Sequence, residues 1–222
     1  MNDGEQTSAR ARAFFDNLWS RGDFWGLESS EFERARYRRL IATLDPSGYD
    51  RVLEIGCGAG AFSALLAALA RRLIALDVSG TAIAAAQTAY GKLTHAEFRV
   101  GNIMDYDPKP EGPWNLIVMC ETIYYLGWLY SFFDICWLAS ELFAATAPGG
   151  HLLLANTEGD FGEALLLPSV IDTYHDLFVN VGYRVDAEEI FHGEKNGVSL
   201  DVVISRYQKP RVAARGRDSS QA

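Results

Sequence analysis

Three glycines alternate directly after a short apolar run, and the side chains around them are suited to holding a ligand. Residues 51–60 read Arg-Val-Leu-Glu-Ile-Gly-Cys-Gly-Ala-Gly, so Glu54 lies just before the glycines. Glycine lets a backbone approach a bound molecule where a Cβ atom would collide. A second apolar run, 73–76, ends in Asp77, which is placed to accept hydrogen bonds from ribose hydroxyls. Together the two runs indicate a cofactor that contains a nucleoside.

The glycine spacing alone does not distinguish a dinucleotide from another nucleoside cofactor. Gly56, Gly58 and Ala61 fit the G-x-G-x-x-A fingerprint of dinucleotide-binding proteins, whereas a P-loop is excluded because no Gly-Lys-Ser/Thr sequence follows. The pyrophosphate of a dinucleotide needs a helix N-terminus that can receive negative charge, and Glu54 before the turn suits a cationic ligand better. An NAD(P)-binding oxidoreductase therefore remains as the alternative to a protein with a cationic cofactor.

Apolar runs alternate with alanine-rich and amphipathic stretches, and this alternation predicts the elements around the glycine turn. The predicted strands are 51–55, 72–77, 96–101, 115–120, 151–156, 183–191 and 198–206, and the predicted helices after the first strand are 59–70, 80–90, 133–147 and 168–181. Such an order favours the α/β class, with a doubly wound, mostly parallel seven-stranded sheet. The last two strands form a hairpin, which predicts one antiparallel strand at the C-terminal end.

The chain shows no internal repeat and no linker that would separate two domains. Residues 1–44 contain two helices separated by 21–26, and we expect them to form an N-terminal helical cap on the same domain. Residues 45–208 form the sheet domain. Residues 209–222 contain Gly, Ser and basic side chains without an apolar period, so we expect a disordered tail.

The composition favours a protein that acts on a small molecule. The formal charge of −9 opposes binding to nucleic acid or to an anionic membrane. Cys57, Cys120 and Cys136 lack C-x-x-C spacing, so we predict neither a disulfide framework nor a metal site. The N-terminus lacks the pattern of a signal peptide, and no apolar stretch is long enough to span a membrane. We therefore expect a cytoplasmic monomer or homodimer.

The pattern E-x-G-x-G-x-G over residues 54–60, followed by Asp77, resembles class I S-adenosylmethionine-dependent methyltransferases. The resemblance implies a Rossmann-like methyltransferase fold, S-adenosylmethionine as the cofactor and S-adenosylhomocysteine as its product. It places the adenine near Val78 and near Asn102, which stands where the family often has Asp, and the sulfonium near the Cys120 carbonyl. The implied cofactor-binding residues at the strand ends are Glu54, Gly56, Gly58, Asp77, Val78, Asn102, Ile103 and Cys120.

A narrower resemblance concerns the segment before the sheet and the segment after its fourth strand. Asp-Phe-Trp-Gly at 23–26, Arg36-Tyr37 and Glu-Thr-Ile-Tyr-Tyr-Leu at 121–126 are similar to the NodS-like nodulation methyltransferases, which N-methylate a glucosamine of a lipo-chitooligosaccharide precursor. That resemblance implies that Trp25, Arg36 and Tyr37 close over the methionine part of the cofactor, with Arg36 near its carboxylate. Packing of both aromatic residues within the cap is the alternative. A further alternative for the whole chain is a non-catalytic subunit that binds the cofactor.

Methyl transfer to an amine requires alignment of donor and acceptor, and a group that receives a proton if the amine arrives charged. The candidate catalytic residues are Glu121, Tyr124 and His175. Glu121 follows the strand expected to face the methyl group, although capping of the next turn explains it nearly as well. His175 lies at the edge of the apolar stripe of its helix, where packing is the alternative.

The aromatic stretch 124–130 suits either the face of a sugar or an apolar pocket. A sugar amine or hydroxyl is therefore the first candidate acceptor, and a hydrophobic metabolite is its competitor.

Overall fold

The computed structural model describes residues 3–23, 25–27, 29–159 and 164–211. Phe24 of the 23–26 segment and the part of the expected tail from residue 212 onward lie outside the described residues.

Helices and strands alternate along most of the described chain. The helices are α1 (Asp3–Trp19), α2 (Glu31–Ala42), α3 (Ala61–Ala67), α4 (Gly80–Tyr90), α5 (Ile123–Leu129), α6 (Phe132–Ala145) and α7 (Pro168–Asn180), with a short 3-10 helix at Ala164–Leu166. The strands are β1 (Tyr49–Ile55), β2 (Ala70–Asp77), β3 (Ala96–Val100), β4 (Trp114–Cys120), β5 (Thr146–Glu158), β6 (Arg184–Lys195) and β7 (Val198–Gln208).

The strands form one seven-stranded sheet in the order β3-β2-β1-β4-β5-β7-β6. Strands β1 to β5 pair in parallel, whereas β7 runs antiparallel to both β5 and β6. The predicted doubly wound, mostly parallel sheet with an antiparallel C-terminal strand is thereby confirmed. The strand order reverses between β1 and β4, and ligands of such sheets bind beyond the carboxyl ends of the strands at that reversal.

The central strands bury apolar side chains on both faces, as a parallel sheet covered by helices requires. On one face Val52 and Leu116 pack with residues of α2, α3 and α4. On the other face Leu53 and Ile117 pack with residues of α6 and α7. All four side chains are fully buried, and burial of each stabilises the fold by about 1.5–3 kcal/mol. This packing holds the strand ends, and the residues that follow them, in fixed positions.

Two helices differ from the prediction. Helix α5 was not predicted, because its seven residues are nearly all apolar and include Gly127, so they show no helical period. Helix α3 is shorter than the predicted 59–70. Gly60 has a φ of +88° in the left-handed region, so the helix begins only at Ala61, and β2 already starts at Ala70.

Both cap helices are attached to the sheet domain. Ser79 Oγ donates to Asp16 Oδ1 at 2.6 Å, and Asn102 Nδ2 donates to Ser8 Oγ at 3.0 Å, so α1 lies over the ends of β2 and β3. Helix α2 packs against α3 and β6. Across the described ranges, the helices fall short of the length and apolar character needed to cross a bilayer.

Candidate active site

A cavity of about 610 Å³ lies beyond the carboxyl ends of β1, β2 and β4. The turns after these strands form its floor, and α1, α2 and α5 form its walls. The far side is made by Leu165, Leu166, Lys195 and Leu200, from the 3-10 helix and the hairpin of β6 and β7. The cavity therefore brings together residues from the beginning, the middle and the end of the sheet domain.

The glycine turn after β1 forms one end of the cavity, and its glycines are required by neighbouring protein atoms. Gly56 and Gly58 have φ values of +79° and +54°, in the left-handed region. A Cβ atom on Gly56 would lie 2.2 Å from Thr122 Oγ1, and one on Gly58 would lie 2.6 Å from Trp19 Cζ2. The close approach that we predicted for a ligand is thus made here by Thr122 and by a tryptophan of α1.

Asp77 at the end of β2 holds the glycine turn in place. Its Oδ2 accepts from the Gly58 amide at 2.8 Å, and its Oδ1 accepts from the Ser79 amide at 2.8 Å. Burial raises the pKa of Asp77 to about 6, although these two hydrogen bonds oppose the change. The carboxylate lines the cavity beside Val78. It can accept further hydrogen bonds, because each oxygen has a second lone pair.

Glu54 is more deeply buried than Asp77 and keeps its proton more strongly. Burial raises the pKa of Glu54 to about 8, and the nearby Asp77 adds to the increase against the effect of a hydrogen bond from Ser63 Oγ. At neutral pH the carboxyl group is therefore mostly protonated in the folded chain. The predicted preference of Glu54 for a cationic ligand requires that the ligand displace this proton.

A row of four alternating charges forms another part of the cavity wall. Lys195 Nζ donates to Glu33 Oε1 and to the Trp25 carbonyl. Arg36 Nη2 lies 2.6 Å from Glu33 Oε2, and Arg36 Nη1 lies 2.6 Å from Glu121 Oε1. We call Lys195, Glu33, Arg36 and Glu121 the ion cluster. Its charges cancel, which is necessary because Glu33 and Arg36 are each only 3% exposed.

Arg36 has one group that its protein partners do not use. Its Nε is buried and has no hydrogen-bond partner among the described residues. Burial alone would lower the pKa of Arg36, but the charges of Glu121 and Glu33 raise it, so the guanidinium stays charged. A buried, charged N–H without a partner is costly. Arg36 lines the cavity, but its Nε is itself covered, so a ligand meets this N–H only if neighbouring side chains move.

Glu121 is held by its neighbours in an unusual conformation. Its φ of +53° is in the left-handed region, which is costly for a residue with a side chain and occurs mainly at functional sites. Oε1 accepts from Arg36 Nη1 and from both the amide and the hydroxyl of Thr157, at 2.9 and 3.0 Å. Oε2 accepts from the Tyr124 hydroxyl at 2.7 Å. With four donors around it, this carboxylate is better arranged to hold charge than to remove a proton.

Aromatic rings cover much of the remaining wall. Tyr125 lies between Phe15, whose ring centroid is 5.2 Å away, and Tyr124, whose centroid is 4.6 Å away. Trp19 and Trp25 pack edge to face at 5.3 Å. Burial raises the pKa of Tyr124 well above its ordinary value, so its hydroxyl remains a donor to Glu121. Aromatic faces attract cations, so this wall can hold a positively charged group.

The structure does not bring His175 to the cavity. Its ring is buried on α7, with Nε2 3.0 Å from Asn156 Nδ2 and Nδ1 3.0 Å from Ser205 Oγ. Burial lowers its pKa to about 4, so the ring is neutral. Its place between α7 and the sheet makes it a hydrogen-bonded core residue, which is the alternative considered for it.

Asn102 and Ile103 also lie away from the lining of this cavity. The Asn102 amide donates to Ser8 and to Tyr130, and its carbonyl oxygen accepts from the Met104 amide at 3.1 Å. The carbonyl oxygen keeps a second lone pair, but Asn102 is not among the residues that line the cavity. Ile103 is buried in the apolar cluster that also holds α6. Helix α1, which contributes Ser8, explains the difference, since it covers the end of β3.

The other predicted residues line the cavity. They are Trp25, Arg36, Tyr37, Glu54, Gly56, Gly58, Asp77, Val78, Cys120, Glu121 and Tyr124. Sequence reasoning missed Phe15, Trp19, Leu166 and Lys195. The closely spaced apolar residues of α1 could have indicated Phe15 and Trp19. Nothing near Lys195 in the sequence indicates it, because its partner Glu33 is 162 residues away.

The described residues contain no group of three or more His, Cys, Asp or Glu side chains that could hold a metal ion.

Comparison with known proteins relates the chain to one family. The family model for Nodulation protein S (NodS) matches residues 8–132. Nodulation protein S of Rhizobium tropici is 33% identical over 135 residues, which are 60% of this chain and 55% of that protein, so the aligned part spans about half of that relative. Nodulation protein S of Bradyrhizobium diazoefficiens is 28% identical over 197 residues, 86% of this chain and 88% of that protein.

A solved structure shares the fold. The N-methyltransferase NodS from Bradyrhizobium japonicum WM9, in complex with S-adenosyl-L-homocysteine, matches with a TM-score of 0.76 at 23% identity. The match covers 90% of this chain and 99% of that chain. The Rossmann-like methyltransferase fold implied by the glycine pattern is confirmed by this likeness.

Proposed function

The chain belongs to the NodS family, and we propose that it is an S-adenosylmethionine-dependent methyltransferase that acts on an amine of a small molecule. Family membership and fold support methyl transfer as the type of reaction. The residues that line the cavity support the cofactor, the amine and the roles of individual residues.

The observation that carries the proposal is that Asp77 and Arg36 lie in the wall of one cavity. The Asp77 carboxylate is suited to the two hydroxyls of a ribose. Arg36 is charged and its Nε has no protein partner, so this side chain is suited to a carboxylate once the side chains that cover the Nε move. S-adenosylmethionine contains both groups, and the cavity volume of about 610 Å³ is of the size that holds small ligands. The residues present therefore fit this cofactor.

When bound, S-adenosylmethionine supplies a sulfonium methyl group: the amine lone pair forms an N–C bond, the S–C bond breaks with its electrons left on sulfur, and the amine later releases a proton to water. The protein must align the acceptor and exclude water. The amine must be neutral when it reacts, because its lone pair forms the new bond.

Glu121 and Tyr124 favour an amine over a hydroxyl acceptor. A hydroxyl must lose its proton as it reacts, and this requires a base. The Glu121 oxygens already accept four hydrogen bonds, and the described lining residues include no histidine. An amine needs only an acceptor for its N–H, and the Tyr124 oxygen can serve because its own proton points to Glu121. We assign these two residues to positioning the amine.

Calorimetry and a screen for S-adenosylhomocysteine release test the proposal. The protein should bind S-adenosylhomocysteine and release it during turnover with a primary amine, while the corresponding alcohol stays unmethylated. Methylation of alcohols alone would contradict the role given to Tyr124. Binding without turnover on amines, phenols or amino sugars would favour a non-catalytic subunit, and binding of NAD⁺ instead would favour an oxidoreductase.

A further inference from the structure

The cavity has mostly apolar walls. Phe15 and Leu18 of α1, Trp128 of α5, Leu166 of the 3-10 helix and Leu200 of β7 all line it. They come from four separate elements, so the apolar character does not result from a single helix face. The match to the family model ends at residue 132. It therefore does not cover the wall formed by Leu166 and Leu200.

The charged side chains beside this wall are engaged with one another. Lys195 is held by Glu33 and by the Trp25 carbonyl. Glu121 is held by Arg36, by Thr157 and by Tyr124. The remaining Nε of Arg36 is assigned above to the cofactor. These groups can orient one amine through the Tyr124 oxygen, but the bonds described leave only one Lys195 N–H and one Glu121 Oε2 lone pair, which are few partners for several hydroxyls.

A sugar amine brings hydroxyl groups on most of its ring carbons. Hydroxyls that leave water for an apolar wall without a hydrogen bond weaken binding. An apolar body of the same size binds more tightly when it leaves water for such a wall, because its apolar surface is buried. Aromatic faces such as those of Tyr125 and Trp128 also attract the partial positive charge that develops on the amine nitrogen during methyl transfer.

We infer that the acceptor is a primary amine carried on an apolar body, of the arylalkylamine or alkylamine class, rather than a sugar amine. This inference rests on the proposed methyl transfer and specifies its substrate class. The group-transfer step is the one given above, with the proton released to water.

The test uses the full chain with three amines: 2-phenylethylamine, D-glucosamine and the β-1,4-linked disaccharide of glucosamine. Turnover with S-adenosylmethionine and calorimetric binding to the S-adenosylhomocysteine complex are measured for each amine. We expect kcat/KM for 2-phenylethylamine to exceed that of either sugar by about 100-fold, with tighter binding in the same order. A sugar amine that equals or exceeds it overturns the inference, and so does a lack of turnover with 2-phenylethylamine.

Different results overturn the substrate class and the proposed methyl transfer. Turnover of a sugar amine alone overturns the substrate class and leaves the methyl transfer standing. Failure of the unmodified chain to bind S-adenosylhomocysteine overturns the proposed function, and the substrate class with it.

A variant of the wall adds a second test. Leu166→Asn places an amide against the acceptor and should lower kcat/KM for 2-phenylethylamine by about tenfold, without changing the affinity for S-adenosylhomocysteine. Val179→Asn is the matched control, since this α7 side chain is 41% exposed and lies outside the cavity lining. Equal activity of the two variants would show that Leu166 does not face the acceptor and would overturn the inference.

Discussion

Two parts of the cavity wall are built in different ways. In the glycine turn, Gly58 and Asp77 are 19 residues apart, and hydrogen bonds to backbone amides fix both. In the other part, the ion cluster joins Arg36 to Glu121, 85 residues away, and Glu33 to Lys195, 162 residues away. The first arrangement follows from one strand-helix-strand unit, β1-α3-β2. The second exists only when the cap, the β4 end and the C-terminal hairpin are all in place, so single substitutions there should affect folding more.

The largest effect is expected from Arg36→Met. The substitution leaves Glu33 and Glu121 without their shared cation, and loss of one partner from a buried ion pair costs about 3–5 kcal/mol. Urea unfolding measures the change in the free energy of unfolding. Arg34→Met, on the same helix but at an exposed position, is the control and should show little change. Similar stability of the two variants would show that the ion cluster does not hold the cap.

Beside the glycine turn, Glu54→Gln should instead stabilise the chain at neutral pH. The folded-state pKa of Glu54 is raised to about 8 from an ordinary 4.5. Between these values the folded state keeps a proton that the unfolded state has lost, so stability falls as pH rises, by up to about 1.4 kcal/mol per pH unit. Gln cannot titrate, so the free energy of unfolding of the variant should match that of the original chain near pH 4.5 and exceed it by pH 7.

Urea unfolding at a series of pH values gives both stability curves. The pKa of Asp77 is also raised, from its ordinary 3.8 to about 6, so Asp77 too makes stability fall as pH rises. This effect is present in both proteins. Parallel curves across the range would contradict the protonated state assigned to Glu54.

Asp77→Ala should weaken the cofactor more than it weakens the fold. Loss of charge-assisted hydrogen bonds to the ribose is expected to lower the binding free energy of S-adenosylhomocysteine by about 1.5–3 kcal/mol. Calorimetry measures the affinity, and Asp107→Ala, which removes an exposed carboxylate elsewhere, is the control. A collapse of the Tm together with unchanged affinity per folded molecule would make Asp77 a structural residue only.

Lys195→Met should have the smallest effect of this series. The Lys195 side chain is 19% exposed, so water can replace part of its interaction with Glu33 in the variant. We therefore expect the free energy of unfolding to fall by about 1–2 kcal/mol. Hydrogen exchange should also become faster in residues 29–37, because the tie between hairpin and cap is removed. Unchanged exchange would show that the cap is held without this lysine.

Features formed by residues close in the sequence could be predicted, whereas features formed by distant residues could not. The strands, the glycine turn and Asp77 follow from local patterns, since a buried strand, a tight turn and an acidic strand end are read within one segment. Lys195 and Trp19 were missed because their roles depend on contacts made only in the folded chain. Asn102 was assigned to the cofactor from its position after β3, but the sequence pattern does not show that α1 lies over it.

His175 illustrates a different limit. A histidine at the edge of an apolar stripe is compatible with a site or with the core, and the pattern of α7 does not decide between them. The partners that decide it, Asn156 and Ser205, come from β5 and β7. The catalytic and cofactor roles given to the cavity residues remain predictions until they are measured.

Calorimetric titration of the full chain with S-adenosylhomocysteine, and in parallel with NAD⁺, tests the central claim most directly. The account predicts one S-adenosylhomocysteine bound per chain with micromolar or tighter affinity, and no measurable binding of NAD⁺. Binding of NAD⁺ together with no binding of S-adenosylhomocysteine would contradict it.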